Sequence, residues 1–246
     1  MNILKKGFTV TELLIAMTII GVVSAVTIPQ VVQTTLKNQA GQILAKTVEQ
    51  IETGCQNLIQ KANDNITMDQ GGYFEGLTSI TTKHVFGDDE AKNLSGPDLF
   101  KYGGVFFGLT PLDNVETYFN SIKNFTGDGI SAGTGFKTIG KAYILKDQKS
   151  VIFTDNEDNE KNNIDEFNTA VFIDVNGVDK PNRGGKDIFI FGLTHGGKLI
   201  PRGSKSYQKY ASGAPLHTED CADNNVKTGW SCAGRVVKDG YKIKYY

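Results

Sequence analysis

Near the N-terminus one side chain invites chemistry. Glu12 is the single carboxylate in the apolar run that follows Lys5 and Lys6, within KKGFTVTELLIAMTIIGVVSAVTIP (residues 5–29). An anion inside a segment fit for a bilayer costs about 2.5–3.5 kcal/mol on insertion scales, so it needs a partner or a task. A second group could ligate a hard cation. Asp174, Asn176, Asp179 and Asp187, within DVNGVDKPNRGGKD (174–187), offer oxygens of the kind Ca²⁺ takes. Their spacing is not that of an EF-hand loop, which ends on a bidentate acid. The same stretch also reads as turn chemistry, with Asn176-Gly177 supplying positive φ and Pro181 and Gly184-Gly185 shaping a long hairpin loop. The acidic run 155–160, DNEDNE, is a further calcium candidate or a solvated loop. Cys221 and Cys232 lie in a Gly-, Asn- and Asp-rich segment where a disulfide would pin a loop too polar to hold itself; Cys55 makes three pairings possible, and 221–232 is the one favoured.

Other chemistry finds no support in the residues. His84, His195 and His217 lack metal-ligand spacing, no Gly-x-Ser-x-Gly elbow occurs, and Cys221 and Cys232 lack the second pair a zinc site needs. The glycines at 127–135 are not followed by the Gly-Lys-Ser/Thr of a phosphate loop. An enzyme is not expected, and no cofactor is required beyond a possible Ca²⁺. With 26 basic and 27 acidic residues, whole-chain charge gives no case for nucleic-acid binding.

The elements that must position these groups begin with the apolar run. No charged residue occurs from Leu13 to Ile28. A helix over residues 8–28 is about 31 Å long, the thickness of a hydrocarbon core. Lys5 and Lys6 hold the short N-terminus in the cytoplasm and direct the rest outward. A removable secretory signal also starts basic and apolar, with Ser24-Ala25-Val26 as a weak cleavage site. Against it, apolar residues continue at helical spacing through Val32, Leu36, Ala40, Ile43, Thr47 or Val48, Ile51, Cys55, Leu58 and Ala62. A signal that is removed has no reason to be in phase with a long amphipathic helix.

Gly7-Phe8-Thr9-Val10-Thr11-Glu12 resembles the signal of type IV prepilins and type II secretion pseudopilins: a short basic leader, Gly before the cut, Phe after it, and Glu as the fifth mature residue. The resemblance implies a cut between Gly7 and Phe8 by a prepilin peptidase, N-methylation of the new Phe8 amine, and assembly with copies of itself and other pilins or pseudopilins at an inner-membrane platform. Gly21 and Pro29 sit where such helices commonly carry a loosening Gly and a Pro kink. Glu12 and the cationic Phe8 amine of a neighbouring subunit could pair, removing two costly charges together and setting register; breaking such a buried pair typically costs about 3–5 kcal/mol. Between Gly21 and Pro29 the helix should bend or locally unwind, and Gly21, Ser24 and Ala25 let a neighbouring helix come close. Asp187-Ile188-Phe189 followed by Gly192 and Gly196-Gly197 is similar to the closing segment of the major pseudopilin of type II secretion. There an acidic residue follows the strand and the region binds calcium; here His195 stands in that neighbourhood.

The expected organisation is a leader (1–7), a membrane-spanning assembly helix (8–29), an amphipathic extension of the same helix (30–62) and an extracytoplasmic head (63–246). The fold class is α+β, a long N-terminal helix packed on an antiparallel sheet. Short helical signals (112–122) precede strands at 142–145, 150–154, 169–175, 187–193 and 198–201, and Arg235–Tyr246 reads as a last hairpin about Asp239-Gly240. Residues 155–166 carry six acids and one lysine, and 180–205 six basic residues and one acid; these opposite surfaces could meet between subunits or simply face water. Two functions stay open: a structural subunit of a type IV pilus or a pseudopilus, in the inner membrane and then periplasmic or on the cell surface, or a membrane-tethered binding module that does not polymerise.

Overall fold

Helix α1 runs from Val10 to Asp64 without a break, through both Gly21 and Pro29. The expected local unwinding between them does not occur: every other residue of the stretch keeps its donor, and Pro29 removes only one hydrogen bond from a ladder of many. These features come from a computed structural model that describes residues 9–66, 72–94, 96, 98–129, 139–146, 150–155, 167–211, 213–223 and 225–246. Gly7, Phe8 and most of the acidic run 155–166 lie outside the described residues.

The chain divides into two units, Met1–Gln39 and Ala40–Tyr246. In the first, the apolar side chains of α1 from Val10 to Leu36 are half or more exposed, Val32 and Leu36 of the expected stripe among them. In the second, α1 buries Leu44, Thr47, Val48, Ile51, Cys55, Leu58, Ile59 and Ala62, the steps of three and four that keep one helix face inward. Leu44 takes the buried place expected for Ile43, which packs at its edge. Two glycines set how closely this face is covered. A side chain at Gly54 would collide with the Phe107 ring, and one at Gly41 with the Tyr241 carbonyl.

Opposite this face lies a six-stranded antiparallel meander in sequential order: β1 (Leu109–Pro111), β2 (Ile139–Leu145), β3 (Val151–Asp155), β4 (Phe167–Asp174), β5 (Ile188–Thr194) and β6 (Leu199–Pro201). Tyr143, Leu145, Ile152, Val171, Ile173, Phe189, Phe191 and Leu193 share a core with α1. The intervening residues Val151, Phe153, Phe172, Ile188 and Ile190 form a second core with Tyr118 and Ile122, from helix α4 (Val115–Ser121) and its end, and with Trp230. The period of two sends alternate side chains to each face. Covering both faces explains why Ile188-Phe189-Ile190-Phe191 is continuously apolar rather than alternating. Directly paired Phe153 and Phe172 stack at 4.6 Å between ring centres.

Helices α2 (Thr82–Phe86) and α3 (Asp98–Phe107) precede the sheet. The apolar piece Gly104–Leu109 is therefore the end of α3 and the start of β1. After the sheet come α5 (Lys205–Tyr210), α6 (His217–Asp220), a two-stranded ribbon of β7 (Cys221–Ala222) and β8 (Asn225–Val226), and α7 (Cys232–Lys238). The meander thus occupies the middle of the head's sequence, and the C-terminal part is short helices and a small ribbon joined by loops. No final hairpin forms at Asp239-Gly240. Val236-Val237 has the composition of a strand, but Cys232, Ala233 and Val236 are spaced to bury one helical face, and packing overrides propensity there.

Candidate functional site

The N-terminal turn of α1 holds Glu12 in a reciprocal cap with Thr9. The Glu12 amide donates to Thr9 Oγ1 (3.3 Å), while the Thr9 amide and hydroxyl both donate to Glu12 Oε2 (2.8 Å each). This capping box satisfies donors that the first turn leaves unpaired, and places a carboxylate at the positive end of the helix. The sequence reading missed Thr9; the Thr-x-x-Glu pattern before an apolar run was the available signal.

Beyond the cap the surface is almost wholly apolar. Four of its hydroxyls are folded away: Thr18, Thr27, Thr34 and Thr35 each donate to the carbonyl four residues back at 2.8–2.9 Å. A side chain added at Gly21 would meet no other atom, so this notch is open to a neighbour. Among the described residues, α1 is the one helix long and apolar enough to cross a membrane, with a mean hydropathy of 2.0 over its best window and none of that window buried.

Residues 4–28 match the prokaryotic N-terminal methylation motif. This motif is the hallmark of type IV pilins and pseudopilins, and implies processing by a prepilin peptidase and assembly into pili. It points to a structural subunit and, with the apolar helix, fits a precursor anchored in the inner membrane. No curated protein and no solved structure matches the chain. The motif therefore speaks for the N-terminal helix, and the head must be read from its own geometry.

In the head, the residues between β4 and β5 are brought together unequally. Asp174, at the end of β4, is fully buried and accepts the Tyr118 hydroxyl at 2.6 Å and the Asn176 amide at 3.2 Å. Asp187, just before β5, accepts the Arg183 amide. Burial, then the Asp187 charge, pushes the Asp174 carboxyl well above the usual range, and burial pushes Asp187 to about 6. Asp179 is exposed and contributes its backbone carbonyl, which accepts from the Asn176 side chain at 2.7 Å. Among the described residues, no group of three or more His, Cys, Asp or Glu side chains could hold a metal. His195 stands at the other end of β5, buried, with its ring beside Asn168 at 3.5 Å and its carbonyl accepting from Leu77.

Cys221 and Cys232 form a disulfide, with Cα atoms 5.2 Å apart. Cys55 is a buried free thiol. The disulfide loop is organised by buried Asp220, whose Oδ1 accepts from the amides of Thr228 (2.7 Å) and Gly229 (3.2 Å) and from the Thr228 hydroxyl (2.8 Å), while Oδ2 accepts from Ser231 (2.8 Å). This loop in turn covers the turn before β5. Side chains at Gly184 and Gly185 would overlap Trp230 and the Cys232 sulfur, and the Tyr245 hydroxyl donates to the Gly185 carbonyl.

Proposed function

We propose that this protein is a structural subunit of a type IV pilus or a type II secretion pseudopilus. It is cut between Gly7 and Phe8 by prepilin peptidase, methylated on Phe8, and polymerised through its N-terminal helix with copies of itself and with other pilins or pseudopilins at an inner-membrane assembly platform. The head stands outside the cytoplasm, first on the membrane-held precursor and then in a periplasmic or cell-surface filament. One observation carries this reading: a helix with exposed apolar side chains from Val10 to Leu36 bears a single carboxylate, Glu12, beside the processing motif. An anchor alone needs the apolar length and uses the acid only as a helix cap. A filament uses it, because the amine released at Phe8 in one subunit can meet Glu12 in the next and neutralise it in a low-dielectric setting.

A tethered binding module is the second reading, and the Thr9–Glu12 cap favours it, since it gives the carboxylate a role within one chain. The variant Glu12→Ala separates the two. Under the first reading the precursor still reaches the membrane and is processed, but incorporation into sheared filaments falls by at least tenfold, measured by immunoblot of the sheared and membrane fractions. Unchanged incorporation, or a wild-type chain that never leaves the monomeric state in a host making filaments, sinks it. Mass spectrometry of the mature N-terminus tests the processing step: methylated Phe8 is expected, and cleavage beyond Ser24 contradicts it.

A further inference from the structure

Three lysines gather around one tyrosine where α3 meets β2. Lys101 Nζ donates to the Tyr102 hydroxyl at 2.5 Å and lies 4.3 Å from the centre of that ring, and Lys92 Nζ lies 5.4 Å from the same centre. Lys141, on β2, is within hydrogen-bond reach of the Lys101 ammonium. The acids nearby do not match this charge. Glu90, on the surface, pairs with Lys92 at 3.2 Å; Asp98 stands 3.8 Å from Lys101, beyond hydrogen-bond distance; and Lys141 has no ion pair among the described residues. Two residues along β2 from Lys141, Tyr143 is 4% exposed. Its hydroxyl is close enough to Asp98 and Tyr102 to feel their charges, and it is buried without a hydrogen-bond partner among the described residues. Burial, then the Asp98 charge, pushes that hydroxyl to about 12, so at neutral pH it holds a proton that no acceptor takes.

Ammoniums held side by side repel, and a buried hydroxyl proton without an acceptor forfeits a hydrogen bond. One anion cures both faults. The donors are single N–H and O–H points on separate residues, with no arginine in the group to make the planar fork that matches a carboxylate. A tetrahedral oxyanion, which accepts in several directions at once, suits them. We propose that Lys101, Lys141 and the Tyr143 hydroxyl bind the oxygens of one phosphate group, with Lys92 beside the Tyr102 ring as an outer cation. Apolar surface adjoins the site. Val105 and Phe106 follow Lys101 and Tyr102 one turn along α3, Val105 is exposed, and exposed Phe86 lies against Phe106 with ring centres 5.9 Å apart. Two sources carry the same chemistry, free phosphate and the headgroup of a phospholipid, and for the second the apolar strip gives acyl chains a surface to lie on. The site is contained in one head, so it goes beyond the assembly reading and does not rest on it.

The test uses the full chain in nonionic detergent at fixed ionic strength, titrated by calorimetry with inorganic phosphate and, separately, with short-chain phosphatidylglycerol. Saturable binding of one phosphate group per chain is expected. Lys101→Gln, Lys141→Gln and Tyr143→Phe, the last of which removes only a hydroxyl, should each weaken it about tenfold. Lys205→Gln, on α5 and outside the cluster, should bind as the wild type does. Lys101 and Lys141 are not buried, so their variants carry the test even if Tyr143→Phe fails to fold, which its urea midpoint reports. Tighter binding of phosphatidylglycerol, displaced by phosphate, supports the proposal with a headgroup as ligand, and binding of phosphate alone supports it with the free ion. Saturable binding of neither, an equal loss in Lys205→Gln and Lys141→Gln, or binding unchanged in Lys141→Gln or in a folded Tyr143→Phe overturns it.

Discussion

At the scale of single residues, the head depends on buried acids that accept backbone donors. Asp220 takes four hydrogen bonds, three from amides and one from a hydroxyl, all within the segment closed by the disulfide. Asp220→Asn keeps the shape but turns an acceptor into a donor facing other donors. It should lower stability by about 1–3 kcal/mol, read as a fall in the urea midpoint of the full chain in detergent. Cys55 gives a contrasting case. Burial, then the Glu52 charge, pushes its thiol far up, so the reactive thiolate is scarce. Iodoacetamide should leave Cys55 unlabelled in the native protein and label it fully in denaturant, as mass spectrometry of the peptide will show. Only one of these two roles was open to inspection in the sequence. Cys55 was legible as a core position because it lies on a helical stripe, but Asp220 was not: its four donors come from residues 228–231, and no periodicity encodes a loop folding back on an acid. Glu12 was legible because charge is rare where it sits, whereas its partner Thr9 is an ordinary residue in an ordinary place.

At the scale of elements, α1 and the meander carry the head. Ile51 is fully buried at the centre of the stripe, and Ile51→Ala should cost about 2–5 kcal/mol, measured as the change in unfolding free energy. Strands β3 to β6 were readable to within one or two residues, since Thr169–Val175 and Asp187–Leu193 are bounded by turn residues and rich in β-branched and aromatic side chains, whereas β1 was not read and β2 starts three residues before the expected 142. That both faces of the sheet are covered was written in the uninterrupted Ile188–Phe191 run, but what covers the second face was not. Tyr118 and Trp230 come from segments far apart in sequence and meet only in the fold. Helix α7 was misread as a hairpin because two adjacent valines outweigh a short three-residue helical spacing in any local window.

At the scale of the whole molecule, the two units answer to different solvents. Residues 10–36 keep apolar side chains outward, as a bilayer or a neighbouring helix requires, and Ala40–Tyr246 encloses two hydrophobic cores as a domain in water does. The disulfide belongs to the second kind of environment, since an oxidising compartment lets it persist. Removing it as the pair Cys221→Ser and Cys232→Ser should destabilise the head by about 2–3 kcal/mol and leave the membrane insertion of the helix untouched, as assayed by denaturation and by membrane fractionation.

Glu52, on α1, accepts the Leu199 amide at 2.8 Å, so a carboxylate occupies a donor on the last strand of the meander. The strand at the other margin, β1, has only three residues and ends in a proline. Neither rim of the sheet is thus a ready template for another backbone, and crowded heads have little to zip onto. If the chain assembles as proposed, growth would fall to the greasy N-terminal rod, and runaway stacking of heads into insoluble ribbons would be disfavoured by how little backbone either rim offers.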